Sequence, residues 1–267
     1  MPAAKNTDIA VIPVADYAIV KATDEDRAIL NEAMAPGEEL SFTNRPTIKM
    51  PSGGAKNWEL PDGTATQEIE AILLHRQPVR AYWARSFAED GGGAPPDCSS
   101  LDNITGRGNN GTNLGSNMQT FYNPDGSEYY TGEHDCSTCP LAEYGTARND
   151  KGEAAAGKAC RQITRLFLMF PDSILPTLLS LPPSSYREAQ NYTISIAARG
   201  KRYSEIVTGI GLVQDKSKAG ITYSKAVFRA IGTISPEEAA RIRQYRLDLL
   251  PRLTAAPVIQ SEVVSVE

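Results

Sequence analysis

All four cysteines of the chain fall within one stretch, at Cys98, Cys136, Cys139 and Cys160, in the pattern C-x37-C-x2-C-x20-C. Two thiolates separated by two residues can turn back on a single metal ion. Two more arriving from elsewhere close the tetrahedral, all-thiolate set of structural zinc. Between them lie Gly106, Gly108, Gly111, Gly115, Gly126, Gly132, Gly145, Gly152 and Gly157 amid many Asn, Ser and Thr. Such a stretch has too little apolar material to fold around a core of its own. A structural Zn2+ ion is therefore the expected cofactor.

Three other uses of the cysteines compete with it. Disulfides need an oxidising compartment, and MPAAKNTDIAVIPVADY has no basic segment followed by a long apolar run, so nothing points to export. Ferredoxin-type clusters place three cysteines close together, and here only two are close. Four unrelated thiols are the third alternative. His134, two residues before Cys136, is a stand-in for one thiolate, although a solvated loop histidine is the simpler reading.

At 267 residues the chain is long enough for one large or two small domains, and 41% hydrophobic content supports a core. No apolar run approaches the ~20 residues that span a bilayer, so a soluble, cytoplasmic protein is expected, in the host cytoplasm if phage-encoded. The net charge of −5 argues against indiscriminate polyanion binding. The charge is uneven, however. Acids (Asp24, Glu25, Asp26, Glu32, Glu38, Glu39) gather in the first 40 residues, whereas Arg199, Lys201, Arg202, Lys216, Lys218, Lys225 and Arg229 face only Glu205 and Asp215 in their segment.

Residues 1–44 read as a peripheral segment. From residue 45 the pattern is β-like: Thr47 to Met50 and Asn57 to Leu60 flank PSGGAK as a hairpin, and runs at Glu68 to Leu74 and Val79 to Arg85 are split by His75-Arg76-Gln77-Pro78. After Cys160 come a dense apolar run, Gln162 to Phe170, and a shorter one, Leu175 to Leu181. A helix capped by Ser185 with Glu188 follows and ends at Gly200. Strands Tyr203 to Val213 and Ile221 to Ile234 come next, then a helix opened by Ser235-Pro236-Glu237-Glu238 and stopped at Pro251. The order predicts a mainly β, α+β chain: an OB-like Greek-key barrel over 45–250 with a zinc-stabilised insertion at about 91–160, a C-terminal helix, and a flexible tail over 251–267.

Enzymatic motifs are incomplete. Gly152 to Ala159 approaches a phosphate loop, but Ala159 lacks the hydroxyl and no apolar strand precedes it. A zinc deaminase needs H-x-E and P-C-x-x-C, whereas His75 is followed by Gln77 and Asp135 precedes Cys136. Four thiolates also leave a metal no open position for water, so no catalytic residue is assigned. Single-stranded nucleic acid needs a cationic groove and flat stacking side chains. The residues expected to supply them are Lys56, Arg80, Arg85, Arg202, Lys216, Lys218, Lys225 and Arg229 for phosphates, with Tyr82, Trp83 and Tyr203 for bases. Trp58 and Phe228 read as core.

The segments KMPSGGAKNWEL, RAYW, PPDCSS, CSTCPLAEYGT, GKACRQITRLFLM, LPPSSYREAQNY and IVTGIGL resemble a group of zinc-motif proteins of phages and mobile elements, over about residues 45 to 240. The resemblance implies an accessory protein of phage-type DNA replication, recombination or transcription that binds single-stranded DNA, or RNA, with little sequence preference. The alternative is a protein-interaction or transcription-factor module that docks replication or transcription proteins through its zinc insertion.

Overall fold

The computed structural model describes residues 45–84, 95–108, 133–148, 153–171, 173–217 and 220–262, with residue 32 and the short strands 10–11, 120–122 and 128–130. Its strands are β1 (Ala10–Val11), β2 (Thr47–Ile48), β3 (Trp58–Glu59), β4 (Ala65–Thr66), β5 (Glu68–Tyr82), β6 (Cys98–Ser100) and β7 (Thr105–Gly108). They continue with β8 (Thr120–Tyr122), β9 (Glu128–Tyr130), β10 (His134–Asp135), β11 (Arg161–Met169), β12 (Thr177–Leu181), β13 (Ile206–Lys216) and β14 (Thr222–Thr233). The two long helices are α1 (Pro183–Ala197) and α2 (Pro236–Ala255). The chain is thus mixed α+β, and no helix among the described residues is long and apolar enough to cross a membrane.

The main sheet runs β1-β14-β13-β5-β11-β12-β2, with β6, β7 and β10 branching from β5. Among the described residues the end strands β1 and β2 do not pair with each other, so the sheet is open, and the expected closed barrel is not formed. Both ends are parallel additions: β1 pairs with β14 and β2 with β12. The expected hairpin across PSGGAK is also absent, because β2 pairs with β12 and β3 with β4. The predicted break at His75 to Pro78 does not occur either, and β5 is one continuous strand. Gln77 is buried there and donates its side-chain amide to the carbonyls of Leu101 (2.8 Å) and Thr254 (2.9 Å), replacing solvent for a polar residue in mid-strand.

The chain divides into two compact units: unit 1 comprises Met1–Arg76, Leu166–Leu179 and Arg187–Leu253, and unit 2 comprises Gln77–Arg165, Ser180–Tyr186 and Thr254–Glu267. In unit 1, β13 and β14 pair antiparallel along nearly their whole length, and β13 pairs on its other side with the first half of β5. Ile72, Leu74, Phe167, Met169, Leu178, Val207, Ile234, Ala239, Ile242 and Leu253 form one core cluster there. Trp58 is fully buried, as expected for core, and donates its indole N–H to the Ile210 carbonyl at 2.9 Å. Phe228 stacks on Tyr192 at 5.5 Å between centroids. α2 begins with the expected cap, the Glu238 N–H donating to Ser235 Oγ at 3.1 Å. It does not stop at Pro251, which sits inside the helix, and the residue that anchors the final turn is buried Leu253.

In unit 2, β6 pairs with the second half of β5, and β7 and β10 extend the ladder outward from it. Its cores are small: Val79, Ala81, Ile163 and Val258 in one, and Cys139, Leu141 and Cys160 in another. The C-terminal segment, expected to be a flexible tail, is packed as far as Glu262. The Arg165 side chain is fully buried, and it donates from Nε and Nη2 to the two oxygens of the Glu262 carboxylate at 2.8 Å each. Its remaining donors reach the carbonyls of Ala256 (2.7 Å) and Pro257 (2.6 Å), and Ser180 Oγ donates to Glu262 at 3.2 Å. A buried charge that loses its partner is strongly unfavourable. Glu262→Gln is therefore expected to cost about 3–5 kcal/mol in urea denaturation. Arg165→Met combined with Glu262→Leu is expected to recover most of that stability.

Candidate metal and nucleic-acid sites

The four cysteines come from three separated parts of the sequence and line one recess of unit 2. Cys98 opens β6, Cys136 follows β10, Cys139 caps the short 3-10 turn Pro140–Ala142, and Cys160 immediately precedes β11. All four are buried and none is disulfide-bonded. The recess holds a cavity of about 10 Å³, and His134, Arg80 and Tyr82 line it with the four thiols. His134 Nε2 lies 3.9 Å from Cys98 Sγ. A Cβ at position 106 would stand 2.6 Å from His134 Nε2 and 3.3 Å from Cys136 Sγ, so Gly106 leaves the room in which the His134 ring and the Cys136 sulfur lie over β7. Burial drives the Cys98 thiol far up, and its three cysteine neighbours add to the effect. Burial likewise pushes Cys160 up to about 12, with Cys139 adding to it and Arg80 opposing it. As the side chains stand, no group of three or more His, Cys, Asp or Glu among the described residues is placed to hold a metal ion.

Arg80, expected on an open groove, faces this recess instead and donates Nε to Asn103 Oδ1 at 2.9 Å. Tyr82 and Trp83 take opposite sides of the strand end, as adjacent strand residues must. Tyr82 is half-buried against Cys139, Leu141 and Cys160, and Trp83 packs on Val79, Ala81, Ile163 and Val258.

The remaining expected nucleic-acid residues that are described belong to unit 1. Lys225 and Arg229 lie on β14, four residues apart and on one face, but carboxylates meet both. Lys225 Nζ is 2.8 Å from Glu188 and 3.8 Å from Asp215. The guanidinium of Arg229 makes a two-pronged pair with Glu68 and lies 3.8 Å from Glu70. A Cβ at Gly209 would fall 2.5 Å from Glu68 Oε1 and 3.1 Å from Arg229 Cγ. The bare backbone at this position therefore serves the ion pair. Arg202 pairs with Glu205 at 3.4 Å, and Tyr203, in a 3-10 turn ahead of β13, is covered by the Arg246 guanidinium at 5.8 Å. Lys56 and Lys216 are exposed. Arg85 and Lys218 lie outside the described residues.

His75, on β5 in unit 1, lies near two guanidiniums: Arg76, its neighbour in sequence, and Arg246 on α2, far away in the chain. Burial holds the His75 imidazole down to about 4, and the guanidiniums of Arg246 and Arg76 act in the same direction. The neutral ring is thus favoured in the folded state. Between about pH 6.5 and pH 4 the unfolded chain binds a proton that the folded chain does not, so stability falls on acidification through that window. His75→Gln is expected to remove this part of the slope while keeping the carboxylate part, as read from urea denaturation at pH 7, 5.5 and 4.5.

Comparison of the chain with protein-family models, with curated proteins and with solved structures returned no match.

Proposed function

We propose that the chain is a non-enzymatic binding protein in which Cys98, Cys136, Cys139 and Cys160 hold a structural zinc ion and whose ligand is single-stranded DNA. The observation that carries the metal half is the arrival of all four cysteines, none in a disulfide, at one buried recess. Four thiolates complete a tetrahedral shell and leave no position for water, which fits a scaffold and not a hydrolytic centre. His134 is the neighbouring side chain able to replace a thiolate. Arg80 offsets the negative charge of the set, as does Lys158, which acts on Cys160. Closing the set on one ion requires the thiols to turn further into the recess than they stand.

The DNA half rests on local cations together with the resemblance to phage-type accessory proteins of replication, recombination and transcription. Exposed Lys56 and Lys216 are the cations ready for phosphate, whereas Lys225 and Arg229 must exchange a carboxylate for it. A labelled oligothymidylate titrated at rising salt is expected to bind with a clear negative slope. Lys56→Gln with Lys216→Gln should reduce that slope by about 1.4, roughly 0.7 for each phosphate no longer neutralised. Glu68→Gln with Glu70→Gln should strengthen binding by releasing Arg229. Absence of binding at low salt, or a flat salt dependence, contradicts the DNA reading.

A second reading, docking of a replication or transcription protein on unit 2, is favoured by Ile104 and Tyr144, which are 65% and 77% exposed in the unit that holds the cysteine recess. In that case the charge substitutions leave partner capture intact, and Ile104→Ser with Tyr144→Ser abolishes it.

A further inference from the structure

The strand ladder of unit 2 carries a fifth donor into the cysteine recess. Tyr82 pairs with Cys98, Cys98 with Gly108, and Gly106 with His134. Opposite residues of an antiparallel ladder share a face, as do residues two apart on one strand, so Tyr82, Cys98, Gly108, Gly106 and His134 all belong to the same side. Arg107, between the two glycines, is exposed on the other side. β7 is thus bare toward the recess, and side chains from the strands flanking it meet across it, His134 Nε2 standing 3.9 Å from Cys98 Sγ. The other three thiols belong to a different frame. The Ser137 N–H donates to Asp135 Oδ1 at 2.7 Å and fixes the turn that carries Cys136 and Cys139. Cys160 is tied to the exit of that turn, its N–H donating to the Leu141 carbonyl at 2.8 Å, and Cys139, Leu141 and Cys160 pack as one cluster.

Five donors therefore line one recess, and a tetrahedral ion takes four. The two that can trade places with least movement of the ion are the two already side by side, Cys98 and His134. Four thiolates on a dication also leave two negative charges in a buried place. Replacing one thiolate by a neutral imidazole leaves a single charge, which lowers the cost of burial. We propose that Cys136, Cys139 and Cys160 are the fixed ligands of the metal site and that Cys98 and His134 are interchangeable in its fourth position, so that the site keeps its ion when either one is lost. This exchange presupposes the zinc ion proposed above and adds to its site one thiol that can leave the metal without releasing it.

The zinc content of the full-length protein and its variants, measured after dialysis against a weak chelator, tests the exchange. The wild type, Cys98→Ser and His134→Gln are each expected to keep about one zinc per chain, whereas Cys98→Ser combined with His134→Gln keeps less than about a tenth of that, as does Cys139→Ser alone. Substitution by Co2+ gives a second measurement that does not depend on how the double variant folds. The chain holds two histidines, His75 and His134, so their ring signals are readily told apart. In Cys98→Ser loaded with Co2+, proton NMR is expected to show the His134 ring strongly shifted by the bound ion and the His75 ring in place. A wild type without zinc overturns the metal reading and the exchange with it. Zinc held by the wild type but lost from either single variant, zinc kept by the double variant, or an unshifted His134 ring in Cys98→Ser overturns the exchange alone.

Discussion

Between Trp83 and Cys160 the chain offers few large apolar side chains, and the clusters of unit 2 are correspondingly small. Hydrophobic burial scales with the apolar area removed from water, so a unit this poor in such area needs other means of fixing its backbone. One polar device is in place, and a second is proposed. One is the Arg165 side chain, whose donors take up the Glu262 carboxylate and the carbonyls of Ala256 and Pro257. The other is the recess where Cys98, Cys136, Cys139 and Cys160 meet. The first ties the C-terminal segment into the unit. On the proposed reading, a metal ion in the second would tie together the ends of β6, β10 and β11, which are otherwise joined by long glycine-rich connections.

The distribution of charge in unit 1 follows a different logic. On β13 and β14 the cations Lys225 and Arg229 meet carboxylates across the ladder, and Gly209 leaves the space in which Glu68 reaches Arg229. That face is internally balanced, and any polyanion must compete with partners already in place. At His75, burial is the main cause of a lowered pKa, with Arg246 and Arg76 acting in the same direction, so the neutral ring is favoured in the folded protein.

Much of the secondary structure was legible in the sequence because it is locally encoded. The dense run around Phe167 forms β11, a turn ending at Gly220 joins β13 to β14, and Ser235 caps α2 as its spacing implies. The four cysteines that the C-x2-C pattern singled out do line one recess, although their side chains are not placed to share a metal ion. What escaped were features fixed by partners far away in the chain. The parallel pairing of β2 with β12, which helps make the sheet open, has no local signature. Burial of Gln77 carries β5 through a stretch that reads as a break. The carboxylates that meet Lys225 and Arg229 come from Glu188 and Glu68, the latter 161 residues away. Those cations therefore read as available in sequence and are engaged in the fold. The tail reads as flexible for the same reason: nothing near Glu262 announces a buried arginine at position 165.

Whether one zinc ion, held by sulfur, organises unit 2 is tested most directly by X-ray absorption at the zinc edge on the purified, untagged protein. One zinc per chain is expected, bonded to four sulfurs at about 2.3 Å, or to three sulfurs and one nitrogen if His134 takes a place. Protein that is fully folded without zinc, or a zinc ion bonded mainly to oxygen and nitrogen, contradicts it.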